Sequence, residues 1–204
     1  MIFDLLSGQL SITAFIVLVL ALLVAVTVHE FAHAWTSWKL GDPTAKLSGR
    51  LTLNPKAHFD PLGTLLLLFT GFGWGKPVPF NPLNFAEPLK DAALVSLAGP
   101  LSNLLLALAL SQLARLQSSL SALLLPIIIL NINLGVFNLL PIAPLDGFRI
   151  VSGVLPKKLA FKWEKLGSYG ILFLLILLLP LGESSLLEAT LSPILRFLVS
   201  LFLG

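Results

Sequence analysis

His29 and His33 stand four residues apart in the stretch VTVHEFAHAW (26–35), with Glu30 between them. At 100° per residue, i and i+4 positions of a helix differ by about 40°, so both imidazoles leave one face one turn apart and can reach a single metal ion. Glu30, beside the first ligand, is placed to take the proton of a water activated there. This is the helical H-E-x-x-H pattern for metal-assisted hydrolysis of an amide, with zinc the usual ion. A catalytic zinc needs a third protein ligand and an open position. The chain has no cysteine and only three histidines, so that ligand must be His, Asp or Glu. Asp146 is the best candidate, because it follows a proline-broken helix and precedes Gly147, where backbone can approach closely. Two neutral imidazoles, Asp146 and Glu30 would bring one Zn²⁺ per chain to formal neutrality. Taken alone, Asp146 reads more simply as a helix N-cap; the histidine pair is what favours the ligand.

These groups must be positioned inside a very apolar chain. Of 204 residues, 56% are hydrophobic and 11% charged, and the mean hydropathy is +0.95, well outside the range of soluble domains. An ionisable side chain in hydrocarbon costs a few kcal/mol or more, so an intramembrane His or Glu is a functional-site hypothesis by default. The net charge of +3 sits in loops between apolar runs, which points to orientation in a bilayer and not to a nucleic-acid partner. The start MIFDLLSGQL has no basic n-region, so no cleaved signal peptide is expected.

The first apolar run, about Ile12 to Val28 and on through the motif to Trp38, can cross a bilayer, which takes about 20 helical residues. A basic loop follows. GTLLLLFTGFG (Gly63–Gly73) is about half the spanning length and is expected to be re-entrant or surface-lying. Three prolines in GWGKPVPFNP favour extended backbone, and residues Lys76 to Phe80 could offer an edge with which a substrate strand pairs. Further spanning helices are expected at about Asp91 to Leu113 and Ala122 to Leu140, the latter stopped by Pro141 and Pro144. Apolar runs at Leu166 to Leu181 and Leu191 to Leu203 would bring the total to about five. The expectation is an all-α integral membrane protein forming one membrane-embedded domain over 1–204, with a three-helix catalytic core at about 10–150 and additional helices at about 160–204.

Parity supports this arrangement. With the end of the first helix in the cytoplasm and Gly63–Gly73 not crossing, the lysine-rich stretch after Asp146 also emerges in the cytoplasm. Both basic loops then obey the positive-inside rule, and Asp146 reaches the membrane face that carries His29 and His33.

Five ordered motifs, HEFAH, NPKAHFDPLG (Asn54–Gly63), GWGKPVPFNP (Gly73–Pro82), AGPLSN (Ala98–Asn103) and NLLPIAPLDG (Asn138–Gly147), resemble the site-2 protease family of intramembrane zinc metalloproteases over roughly Leu20 to Ile150. The resemblance implies cleavage of membrane-protein substrates within or near a transmembrane segment, in the cell membrane near its cytoplasmic face. It implies His29, His33 and Asp146 as zinc ligands and Glu30 as general base. Neither the PDZ-like insertion nor the nucleotide-sensing tail of some members is expected from these 204 residues.

Weaker candidates surround these. Asn138 could steady an oxyanion or the substrate strand, while Asn131, on the same helix face, reads as an interhelical hydrogen bond. Gly99 and Asn103 read as tight packing. His58 could orient the basic loop or stabilise transition-state charge. A metal or proton transporter using the same His and Glu is the main alternative. It would need ionisable groups at several depths, whereas these cluster at one end and no internal repeat of the transporter kind is seen. A catalytically dead scaffold fits poorly with an intact Glu30.

Overall fold

The computed structural model describes residues 5, 7–70, 73, 75–181 and 184–204. Ser11 opens helix α1 (Ile12–Lys39), its hydroxyl accepting the Ala14 N–H at 3.1 Å as an N-cap should. One face of α1 is buried at Ala21, Ala25, His29, His33 and Ser37. That i+4 stripe of small residues brings a neighbouring helix close enough for the two histidines to be enclosed. The opposite stripe, Ile12, Ile16, Leu20 and Val24, is exposed, as a lipid-facing surface would be.

A short helix α2 (Thr44–Leu47) and a 3-10 turn at Pro55–Ala57 lead to α3 (Pro61–Thr70), which Asp60 starts by accepting the Gly63 N–H at 2.8 Å. Its ten residues span about 15 Å at 1.5 Å per residue, half a bilayer. Gly71 and Phe72 of the expected re-entrant piece, and Trp74 of the following motif, lie outside the described residues.

Helix α4 (Pro88–Leu116) presents the face complementary to α1, with Ser96, Gly99, Asn103, Ala107 and Ser111 buried. Helix α5 (Ser121–Asn138) packs on both; a Cβ at its Gly135 would lie 3.0 Å from the Pro100 carbonyl. After the proline-rich turn come α6 (Asp146–Val154), α7 (Lys157–Leu166), a 3-10 turn, α8 (Gly170–Leu178), a two-residue antiparallel pair of β1 (Pro180–Leu181) with β2 (Ser184–Ser185), and α9 (Leu186–Leu203). The apolar core lies between α4, α5 and α9, around Ala107, Ile128, Ile132, Leu191 and Phe202.

Among the described residues, four helical stretches are long and apolar enough to cross a membrane: Ile12–Lys39, Pro88–Leu116, Ser118–Asn138 and Leu186–Leu203. The run at Leu166 to Leu181, the fourth apolar run of the sequence, differs from these in its helix length. Its α-helix has nine residues, about 14 Å. Gly167 and Gly170 explain the difference: a Cβ at Gly170 would meet the Ala143 carbonyl at 2.2 Å and one at Gly167 the Phe148 ring at 3.1 Å. This segment docks against the turn before Asp146, and Pro180 follows it directly.

Candidate metal centre and catalytic cavity

Helix α1 delivers His29 and His33, both buried, and α6 delivers Asp146 from its first turn. The Asp146 Oδ2 atom lies 3.1 Å from His29 Nε2 and 3.3 Å from His33 Nε2, and the two Nε2 atoms are 3.0 Å apart. The turn that places Asp146 depends on Gly147, where a Cβ would fall 2.2 Å from the Leu139 carbonyl oxygen.

The outer nitrogens of both imidazoles are committed elsewhere. His33 Nδ1 is 2.7 Å from the Val95 carbonyl, which can only accept. His29 Nδ1 is 2.6 Å from Asn103 Oδ1. The Asn103 amide is itself fixed, since its Nδ2 donates to Ala25 O at 2.9 Å and Asn131 Oδ1 at 2.7 Å. Each Nδ1 therefore carries the proton, which leaves a lone pair on each Nε2 pointing at Asp146; this is how outer hydrogen bonds set a ligand's tautomer.

These residues fit a zinc ion. Asp146 Oδ2 is buried and receives no hydrogen bond among the described residues, and its ligand atom and those of the two histidines lie within 4.8 Å of one another. Burial acts to raise the Asp146 carboxyl, but positive charge at the facing histidines outweighs it and holds the group below the usual carboxylate range. The site thus favours an ionised Asp146 facing positive charge, which imidazole protons or a divalent cation can supply.

Glu30 shares a cavity with all three, along with Val78, Phe80, Asn138, Pro144 and Arg149. Its Oε2 accepts the Val78 N–H at 3.1 Å and lies 4.0 Å from Arg50 Nη2. A second, largely apolar cavity of about 400 Å³ opens on His29, Glu30 and Asn138 and runs between Leu22, Phe137 and Leu174.

The extended segment 76–81 is tied down along one side. Lys76 N donates to His58 O at 2.8 Å, Arg50 Nη2 donates to Lys76 O, Val78 reaches Glu30, and Asn81 N donates to Asp42 Oδ2 at 2.8 Å.

The weaker candidates divide. Asn138 lines both cavities, though its Nδ2 donates to Leu134 O of its own helix at 3.0 Å. His58 is fully buried in the loop, with Nε2 2.7 Å from Thr52 O, and does not line the catalytic cavity. Asn131 forms the expected interhelical bond. Three residues carry more than their sequence context shows. Asn103 orients His29, Arg50 joins Glu30 to the extended segment, and Gly99 makes room for both imidazoles, since a Cβ there would sit 2.4 Å from His33 Nε2 and 2.7 Å from His29 Cε1. The signals for Asn103 and Gly99 are their i, i+4 spacing in a small-residue stripe and their place in the AGPLSN motif, neither of which assigns them a role.

A model of peptidase family M50 matches residues 111–178. The chain is 44% identical over 179 residues to YwhC of Bacillus subtilis, named as a zinc metalloprotease, covering 81% of this chain and 82% of that protein. It is 33% identical over 175 residues to Rip2 of Mycobacterium tuberculosis, also named as a zinc metalloprotease, covering 81% and 67% respectively. Similarity to the zinc metalloprotease MJ0392 of Methanocaldococcus jannaschii is 29% over 149 residues, 71% of this chain and 36% of that one. No solved structure matches. With its buried pair of imidazoles and a carboxylate converging among helices of spanning length, the chain belongs to peptidase family M50, the site-2 protease family of zinc metalloproteases.

Proposed function

We propose that this protein is a single membrane-embedded unit that hydrolyses peptide bonds within or near transmembrane segments of membrane-protein substrates, with His29, His33 and Asp146 holding zinc and Glu30 as general base. The observation that carries the reading is the convergence of the His29 and His33 Nε2 atoms and an orphaned buried Asp146 oxygen beside Glu30, the histidines and Glu30 lying on a helix long enough to cross a bilayer. A bound zinc ion supplies Lewis acidity that polarises a carbonyl and acidifies water.

The chain's own residues do the rest. Glu30 accepts the proton of the attacking water and returns it to the leaving nitrogen, its orientation held by the Val78 N–H. A helical substrate must unwind locally, because its scissile carbonyl is otherwise hydrogen-bonded and shielded. Segment 76–81 is extended and anchored on one side, which suits it to pair with an unwound strand. Asn138, at the junction of both cavities, is placed to contact that strand or the developing oxyanion. The apolar cavity bounded by Leu22, Phe137 and Leu174 supports lateral access from lipid. The charge pattern supports a cytoplasmic site in the cell membrane, and the ten-residue α3 supports a re-entrant piece that does not cross.

The test is cleavage of single-span membrane reporters by the purified chain, wild type beside Glu30→Gln. The reading requires fragments from wild type alone, with zinc retained by both. Equal cutting by the variant removes Glu30 as the base. Zinc or proton flux in sealed vesicles, without cleavage, would favour a transporter.

A further inference from the structure

A cavity of about 680 Å³ adjoins the catalytic one, bounded by Pro77, Phe80, Leu89, Arg149, Ser152 and Glu164. The two share Pro77, Val78, Phe80 and Arg149 in their linings, so they adjoin at Arg149 and together line a trough along α6 that starts beside the proposed zinc ligands. Helix α6 supplies a ruler along it. Asp146, Arg149 and Ser152 are spaced by three, share a face, and step away from the metal ligand by about 4.5 Å each. Arg149 is, among the described residues, the one Lys or Arg lining both cavities. Its guanidinium carbon lies 4.7 Å from the centre of the Phe80 ring. No carboxylate of the described residues lies within ion-pair distance of it. Glu164, the other charged residue lining the larger cavity, accepts the Ser152 hydroxyl at 2.9 Å and so sits a turn farther along.

We propose that Arg149 is a specificity residue that reads an acidic side chain of the substrate one or two positions from the cleaved bond, on the flank lying in the α6 trough. An extended strand advances about 3.3 Å per residue, so the step from Asp146 to Arg149 matches one to two substrate residues. The cation is already held over the Phe80 ring, which lowers the entropy cost of ordering it. The inference rests on the protease reading above.

It is tested with single-span reporters that differ only in Asp, Asn or Lys at each of three positions flanking the cut, on both sides. They are assayed with the full chain in lipid vesicles, and kcat/KM is read as a ratio to the Asn reporter. Wild type is expected to favour Asp about fivefold at one position within two residues of the cut. Arg149→Gln should bring that ratio close to one, and Arg149→Glu should invert it towards Lys. Because each ratio is internal to one protein, partial misfolding of a variant does not mimic the result. A flat profile in wild type, or an Asp preference that survives Arg149→Gln or fails to invert, overturns the role of Arg149 while leaving the protease reading intact. Absence of cutting of every reporter by wild type overturns both.

Discussion

His29 and Asn103 are joined by the shortest hydrogen bond of the metal centre, 2.6 Å between Nδ1 and Oδ1. The bond is one link of a chain that crosses three helices: Ile127 O accepts from Asn131 Nδ2, Asn131 Oδ1 from Asn103 Nδ2, and Asn103 Oδ1 from His29 Nδ1. Every amide in the chain has its orientation dictated by the next. A carbonyl on α5 thereby fixes which nitrogen of a histidine on α1 is free to bind metal.

Asn103→Ala is therefore expected to weaken zinc binding by about 10- to 100-fold, the usual cost of losing an outer-shell partner of a ligand, while leaving all three proposed ligands in place. Competition against a chromophoric zinc chelator measures this. Unchanged affinity would show that the tautomer of His29 is set by something else.

Gly99→Ala isolates a steric requirement. The added methyl would lie 2.4 Å from His33 Nε2, a distance at which something must shift. The imidazoles are the mobile partners, since the helix backbones are locked by packing. Zinc affinity and peptidase activity are both expected to fall at least about tenfold, with helix content by circular dichroism unchanged. Normal zinc content in the variant would mean that the histidines bind from another rotamer.

The proposed ligands and the base were legible in the sequence because α-helical periodicity alone brings His29 and His33 together, and because Pro141, Pro144 and charge parity put Asp146 on the same face. What periodicity cannot show is which helix faces which. Gly99 and Asn103 carry a small-residue spacing shared by any packed membrane helix, and only contact with α1 reveals that one clears space for the imidazoles and the other orients one. Arg50 was hidden for a related reason: in a basic loop it reads as a topology signal, whereas folding buries it to 3% exposure against Glu30. How the apolar run after Leu166 packs was not legible, because hydropathy is blind to Gly167 and Gly170, whose missing side chains let it dock on the turn before α6.

Arg50 should matter to turnover more than to metal binding. Burial acts to lower its pKa and the Glu30 charge acts to raise it, but a guanidinium stays charged in either case. Arg50→Gln removes the cation 4.0 Å from Glu30 together with the donor to Lys76 O, so the base and the extended segment both lose an anchor. kcat is expected to drop roughly tenfold or more with zinc content unchanged, since small displacements of a catalytic group are costly. Arg50→Lys should recover only part of this, because the ammonium of Lys is not the planar, weakly hydrated group whose Nη2 faces both Lys76 O and Glu30. Full recovery by Lys would reduce Arg50 to a simple counter-charge.

Asp42 ties the end of α1 to the far end of the extended segment, and its effect can be read from pH. It is fully buried and accepts from Ser37 Oγ, Thr44 N and Oγ1, Asn81 N and Asn84 Nδ2. Burial acts to raise its pKa, but these hydrogen bonds outweigh it and bring the group down to about 2 from an ordinary 3.8. A folded-state pKa below the unfolded value stabilises the fold fully above the unfolded value, and the gain is lost as pH falls through the folded one. Asp42→Asn should therefore be less stable than wild type at neutral pH, by roughly 1–3 kcal/mol for the charge-assisted bonds lost. The gap should narrow between about pH 4 and pH 2 as wild type alone gives up its advantage. Denaturant unfolding in detergent at a series of pH values reads both effects, and a gap that stays constant down to pH 2 would mean that the Asp42 charge contributes nothing to the knot.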